Sequence, residues 1–387
     1  MEIRRDTYLQ QLISYRFDGL VKVITGIRRC GKSYLLKNIY KDYLLQNNVK
    51  IEQIISIELD LAKDIKYRNS LFLSSYVREI VERNNQEYYL FVDEIRMHPL
   101  CFAEYYSAVG GDKNDAFDNY AFFGGMPFIL SRPNDMAKMN YLKSLFTEVY
   151  IKDIIERRKI ERQDVLEQIL DLLCSSVDSL TNPTKIANTL KSKQGARVSA
   201  NTIRTYIGHL EDAFLFSESK RYDVKGKSYF DSTYKYYSED IGLRNARIGF
   251  HQLEMTHIME NIIYNELVSR QFSVDVGVVY ARTINKNGNS VRTPREIDFV
   301  VTSAGKRTYI QSAYTMPTEE KADTELRSFS LTDDSFPKIV VRKDTVFFWT
   351  RNLYSQIPRY RATGHDLVSL KEPFGSLARS APEGRGI

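Results

Sequence analysis

The chain has 387 residues and a formal net charge of +6, a length that predicts two or three domains and a charge that permits nucleic-acid binding without requiring it. With 43% hydrophobic residues the chain can bury sizeable cores. It has no apolar run of about 18 residues, so no membrane-spanning helix is expected. The charged N-terminus and three scattered cysteines argue against a secretion signal, a disulfide framework and a zinc site, so we expect a cytoplasmic protein with no membrane contact.

The first motif along the chain is G-x-x-x-x-G-K-[ST], the phosphate-binding loop of P-loop NTPases. Residues 21–24 predict a buried strand before it, and residues 33–40 predict a helix with an apolar stripe after it. Backbone N–H groups and the helix N-terminus bind phosphates in this setting, with Lys32 on the β- and γ-phosphates and the Ser33 hydroxyl on Mg²⁺. The residues predicted to bind ATP are Gly26, Ile27, Arg28, Arg29, Cys30, Gly31, Lys32, Ser33 and Tyr34.

A second nucleotide motif follows two further predicted elements, a strand at 54–59 and a helix at 73–83. Residues 88–92 predict an apolar strand that ends in Asp93 and Glu94. After a phosphate loop, this is the Walker B pattern. Asp93 would hold Mg²⁺ and Glu94 would polarise the attacking water as the catalytic residue.

Residues 165–222 predict two helices separated by a turn and followed by a β-type run. The second helix opens with Ser199 as a predicted N-cap. Helix, turn, helix and ribbon is the order of a winged helix-turn-helix, which would bind DNA through an exposed face carrying Asn201, Thr202, Arg204 and Thr205. The basic surround comprises Lys185, Lys191, Lys193, Arg197, Lys220 and Arg221. A spacer packed between domains explains the pattern equally well, so both interpretations stay open.

The C-terminal part predicts an α/β domain. Residues 256–268 predict an amphipathic helix, and three strands are expected at 274–280, 295–301 and 307–314. From residue 344 onward the apolar spacing is irregular and proline and glycine recur, which is typical of a disordered tail.

Four segments of the chain resemble those of a known protein family. The segments 22–33, 99–106, 124–127 and 234–245 resemble landmarks of a prokaryotic AAA+-type P-loop ATPase family whose members carry a winged helix and a C-terminal domain similar to PD-(D/E)xK nucleases. The resemblance implies an α/β fold class. The chain would then have four parts. Residues 1–150 would form a shortened P-loop NTPase (AAA+-like) domain with the start of a helical lid, and residues 151–225 a helical winged-helix module. Residues 226–343 would form a restriction-endonuclease-like α/β domain, and residues 344–387 the tail.

The chain departs from the family pattern in the ATPase domain. Asp93-Glu94 runs directly into 95–100, so the several dozen residues that carry the sensor strand and the arginine-bearing turn in the family are missing. An arginine finger contributes about 10³–10⁵ in rate where it acts, so we expect ATP binding with weak or lost hydrolysis.

A second departure concerns the nuclease-like domain. Glu260 and Asp298 match the first two metal-ligand positions, but Gln311 and Ala313 stand where an acidic residue and a lysine are expected. Hard cations prefer several anionic oxygens, so we expect no metal-dependent cleavage and a structural role for both carboxylates.

These observations predict an ATP-binding protein of the AAA+ type that uses Mg²⁺. The alternative is a non-enzymatic DNA-binding or interaction protein in which the ATPase domain is a relic. ATP is the expected partner, DNA a second one through the winged helix, and homo-oligomer formation is left open.

Overall fold

The fold is taken from a computed structural model of the chain. The structure describes residues 5–14, 16, 24, 30–57, 70–82, 86–91, 98–195, 197–251, 253–270, 272–284, 289–303, 305–315, 326–343 and 346–349. These residues form two compact units. The N-terminal unit comprises Met1–Leu100 and Met126–Ser131, and the C-terminal unit comprises Cys101–Gly125 and Arg132–Ile387. Within the described residues no helix is long and apolar enough to cross a membrane.

The N-terminal unit combines helices with a small parallel sheet. Strands β1 (Ile54–Ser56) and β2 (Tyr89–Phe91) pair in parallel, and parallel neighbours need a crossover connection, in which α3 lies here. The helices are α1 (Asp6–Ser14), α2, which joins the contiguous pieces Lys32–Tyr34, Leu35–Tyr40 and Lys41–Gln46, and α3 (Ser70–Val81).

The helix predicted after the phosphate loop is confirmed. Leu35, Leu36, Tyr40 and Leu44 of α2 are buried, and their spacing places them on one face. The remainder of the first predicted strand and the acidic end of β2 lie outside the described residues.

The C-terminal unit begins with helices. These are α4 (Phe102–Val109), α5 (Lys113–Phe123), α6 in the contiguous pieces Asp135–Ser144, Leu145–Ile151 and Lys152–Arg158, α7 (Gln163–Ser175), α8 (Pro183–Gln194) and α9 (Ala200–Asp212). The predicted cap of the second helix in the pair is confirmed, because Ser199 accepts from the Thr202 amide at the start of α9. At the start of α8 the Asn182 side chain accepts from the Lys185 amide, a cap that was not predicted.

A seven-stranded mixed sheet completes this unit, in the order β4-β3-β5-β6-β7-β8-β9. Its elements, with two helices between β4 and β5, are β3 (Phe216–Asp223), β4 (Ser228–Ser238), α10 (Ile241–Arg247), α11 (Met255–Ser269), β5 (Ser273–Ile284), β6 (Ser290–Ser303), β7 (Lys306–Ser312), β8 (Lys338–Val341) and β9 (Val346–Trp349). The predicted helix at 256–268 and the three predicted strands are confirmed. The helix and the first two strands have longer bounds than predicted, and the third strand ends at Ser312, two residues earlier.

Two of the predicted borders fall within this sheet. The border at 225 lies in the turn between β3 and β4, which pair along their length, and β3 also pairs in parallel with β5. Strand β9 lies inside the predicted tail and pairs antiparallel with β8, because its valine and aromatic residues favour a pleated strand. The chain beyond Trp349 lies outside the described residues, and the four-part division stays a prediction.

Candidate functional site

The described end of the predicted phosphate loop turns at Gly31 into a helix. Gly31 has φ = 99°, which side-chain-bearing residues adopt only with strain, and its carbonyl accepts from the Leu35 amide. Helix α2 begins at Lys32, so the positive end of its dipole lies beside Gly31. Lys32 is half-buried, and Ser33 and Tyr34 are exposed.

The structure therefore brings together only part of the predicted site. Gly26, Ile27, Arg28 and Arg29 lie outside the described residues, and so do Asp93 and Glu94. Their predicted roles in ATP binding, in Mg²⁺ binding and in catalysis stay predictions.

Cys30 is a structural member of this loop. It is wholly buried, and burial raises the pKa of its thiol, although Lys32 and Arg5 nearby partly oppose this. A thiol kept protonated in this way is a poor nucleophile, so Cys30 acts by its backbone and its packing.

Arg5 contacts the loop from the N-terminus of the chain. Its side chain is 1% exposed, and its Nη2 donates to the Cys30 carbonyl at 2.7 Å and to the His98 carbonyl at 2.8 Å. Arg5 was not among the predicted site residues, because nothing in the pattern Arg4-Arg5 distinguishes a buried arginine from a solvated one.

The C-terminal unit holds a buried charge cluster, which comprises Lys235, Tyr237, Glu260, Glu296 and Asp298. The Lys235 ammonium lies 2.7 Å from Glu260 Oε1 and 2.6 Å from Glu296 Oε1, and the Tyr237 hydroxyl donates to the same Glu260 oxygen at 2.7 Å. Burial by itself lowers the pKa of Lys235, but the surrounding carboxylates raise it above its usual value. The ammonium thus neutralises the acidic positions from inside the core.

Asp298 is held by Gln311, one of the two residues that break the nuclease pattern, and by the neighbouring Ser312. Gln311 Nε2 donates to its Oδ1 at 3.0 Å, and the Ser312 amide donates to its Oδ2 at 2.7 Å. Burial raises the pKa of Asp298, and it raises the pKa of Glu260 to about 7 despite Lys235. Among the described residues no three His, Cys, Asp or Glu side chains are arranged to hold a metal ion. Both carboxylates are hydrogen-bonded within the core, and their expected structural role stays a prediction.

The helix-pair face carries the predicted DNA-contact residues, some of them already bonded within the chain. Thr202 Oγ1 lies 2.9 Å from Ser199 Oγ, and Thr205 Oγ1 donates to the Asn201 carbonyl at 3.0 Å. Arg204 Nη1 donates to Glu218 at 3.0 Å and its Nη2 to the Tyr234 hydroxyl at 3.0 Å. DNA contact by this face stays a prediction.

An open concavity of about 580 Å³ lies beside the turn between α8 and α9. It is lined by Ala187, Asn188, Lys191, Arg197, Val198 and Ser199. Two of the six residues are basic, so the concavity belongs to the predicted basic surround.

Two of the sequence landmarks contact each other in the C-terminal unit. The buried Asp240 carboxylate accepts from the Gly125 amide at 2.8 Å and caps α10 by accepting from the Leu243 amide at 2.9 Å. Asn245 Nδ2 donates to the Phe122 carbonyl at 2.9 Å. Gly125 of the segment 124–127 and Asp240 of the segment 234–245 are therefore in direct contact.

Two family models match consecutive segments of the chain. Residues 18–115 match the family model of an AAA domain, and residues 114–254 match a model described as a domain of unknown function (DUF8612). An uncharacterized protein of Haemophilus influenzae is 27% identical over 390 positions, covering 88% of this chain and 93% of its own length. The uncharacterized protein MJ1544 of Methanocaldococcus jannaschii is 24% identical over 358 positions, covering 80% and 78% respectively. An AAA-type P-loop domain is therefore present near the N-terminus.

Proposed function

We propose that this protein binds ATP with Mg²⁺ through its N-terminal domain and hydrolyses it weakly or not at all. The observation that carries the proposal is Gly31 in a left-handed conformation at the start of α2, followed by Lys32 and Ser33, within a segment that matches an AAA domain. Lys32 would contact the β- and γ-phosphates, Ser33 and Asp93 would hold the cation, and Glu94 would orient water.

The shortened ATPase domain supports weak hydrolysis. The alignment with the Haemophilus protein has 390 positions but covers only 88% of 387 residues, about 340, so about fifty positions are gaps in this chain. A deficit of this size agrees with the several dozen residues that the sequence lacks after Asp93-Glu94. Without a sensor residue and an arginine finger, the transition-state charge on the phosphates is poorly stabilised.

We also infer that α7, α8, α9 and the β3–β4 hairpin form a winged helix. The three helices precede the hairpin in the required order, and Thr181 pairs with Tyr234 of β4, which adds a short third strand. The buried charge cluster supports a nuclease-like core in which an internal lysine ion-pairs with the acidic positions.

Lys32→Ala tests the proposed nucleotide site. We expect the Kd for ATP with Mg²⁺ to rise about tenfold or more, since a charge-assisted hydrogen bond contributes about 1.5–3 kcal/mol. Isothermal titration calorimetry measures the change, with Lys41→Ala on the same helix as the control that leaves the loop intact. Equal affinities of the Lys32→Ala variant and the parent would contradict the site.

Hydrolysis is the second test. We expect phosphate release at saturating ATP to stay far below the ~1–100 s⁻¹ of kinases, a related class of phosphoryl-transfer enzyme. Steady-state phosphate release by the parent and by Glu94→Gln decides this. Turnover in that range by the parent, lost in the variant, would show that the missing segment is dispensable.

DNA binding, the alternative function, can be tested on the same purified protein. A folded parent that binds duplex DNA with salt-dependent affinity but binds no ATP would favour a DNA-binding protein with a relic ATPase domain.

A further inference from the structure

We infer that Arg5 is a positioning residue that orients the phosphate loop for nucleotide binding. This inference rests on the proposed ATP binding and adds to it a residue outside every nucleotide motif. Its starting point is the pair of hydrogen bonds from Arg5 Nη2 to the carbonyls of Cys30 and His98.

The bond to Cys30 acts on the peptide unit that carries the Gly31 amide. In a planar trans peptide the carbonyl and the next N–H point in opposite directions. A Cys30 carbonyl directed at Arg5 therefore directs the Gly31 N–H away from Arg5. A loop that binds phosphate needs its N–H groups on one side, so its carbonyls must find donors on the other. Arg5 supplies such a donor.

Burial makes this donor hard to replace. Cys30 is 0% exposed, and Arg5 is 1% exposed, so water has little access to the bond between them. A buried carbonyl that loses its donor either stays unsatisfied or rotates toward another partner. Rotation of that peptide would turn the Gly31 N–H out of line with the first turn of α2.

The second bond reaches a distant segment of the chain, because His98 follows the predicted Walker B acids by a few residues in the sequence. One guanidinium therefore binds carbonyls of two segments that are far apart in the chain. Tyr8 supports the arrangement, with its ring 5.2 Å from the Arg5 guanidinium and its hydroxyl accepting from the His98 amide at 3.2 Å. The single Nη2 carries two N–H groups, so it can donate to both carbonyls at once.

The surrounding helices hold Arg5 in place. Its own carbonyl accepts from the Leu9 amide at 3.0 Å as α1 begins, and α1 packs against the Leu35–Tyr40 piece of α2. The donor and the helix that follows the loop are therefore parts of one packed unit.

The test compares Arg5→Met, Arg5→Lys and the parent, with Arg78→Met as the control that removes an exposed arginine of the same unit. The Kd for ATP with Mg²⁺ is measured by calorimetry at a temperature where circular dichroism shows each variant folded. We expect about a tenfold rise for Arg5→Met, a smaller rise for Arg5→Lys, and a change under twofold for Arg78→Met. A residue that only supports the fold would lower the melting temperature and leave the affinity of the folded protein unchanged.

Hydrogen exchange provides a readout that needs no nucleotide. In Arg5→Lys we expect faster exchange of the amides at 30–35 than in the parent, and this variant serves if Arg5→Met does not fold. A folded Arg5→Met with an affinity within twofold of the parent, or unchanged exchange in Arg5→Lys, would overturn the inference and leave ATP binding standing. A parent that binds no ATP would overturn both.

Discussion

Lys235→Met is expected to lower the free energy of unfolding by about 3–5 kcal/mol, because it removes one partner of a buried ion pair and leaves carboxylates uncompensated. The Lys235 side chain is 5% exposed and that of Glu260 is 9% exposed, so water cannot replace the ammonium. Urea denaturation of the parent and the variant measures the difference. Lys220→Met, which removes an exposed lysine from the neighbouring strand β3, is the control and should cost under about 0.5 kcal/mol.

The difference in unfolding free energy between Lys235→Met and the parent should become larger as the pH rises. The folded-state pKa of Glu260 is about 7, above its usual value, and loss of Lys235 raises it further. A carboxyl whose folded pKa is raised contributes stability below its unfolded pKa, and this contribution is lost as the pH rises toward the folded value. The variant should therefore be closer to the parent at pH 5.5 than at pH 8. A deficit under about 1 kcal/mol at pH 8 would contradict a charge cluster held by Lys235.

A double variant sharpens this result. Adding Glu260→Gln to Lys235→Met removes one of the two stranded charges, so the pair should be less destabilised than the sum of the single changes. Additive effects would mean that the two side chains act independently.

Gly242→Ala is expected to destabilise the C-terminal unit by about 3 kcal/mol or more, because the new methyl group has no room. A Cβ at Gly242 would lie 1.9 Å from the Phe123 carbonyl oxygen and 2.9 Å from the Gly124 amide nitrogen. Both are backbone atoms, so relief requires α10 to move away from the end of α5. That movement would also strain the hydrogen bond from Gly125 to Asp240.

The matched control is Gly208→Ala within α9. A Cβ at Gly208 meets no atom within 4 Å, and alanine is the better helix former, so this variant should gain about 0.5–1 kcal/mol. Thermal and urea unfolding of both variants test the pair of expectations. A Gly242→Ala protein within about 1 kcal/mol of the parent would show that the landmark contact adapts easily.

Local patterns were sufficient for most of the secondary structure. The apolar stripe in residues 33–40 predicted the helix after the phosphate loop, and Pro183 and the cap residue Ser199 marked the starts of α8 and α9. Such signals lie within a few residues of the element that they define, so one chain is enough to read them. The nucleotide motif was readable for the same reason, because Gly31, Lys32 and Ser33 are adjacent.

The sequence by itself therefore determined the phosphate loop, the helix pair and the loss of the acidic and lysine positions at Gln311 and Ala313. Only the tertiary structure decided that Arg5 reaches Cys30 and His98, 25 and 93 residues away, and that Lys235 ion-pairs with Glu260, 25 residues away. It also decided that β3 pairs with β5 in addition to its hairpin partner β4. The physical reason is that an arginine or lysine is normally solvated, and only the folding of distant segments around it removes the water and supplies its partners.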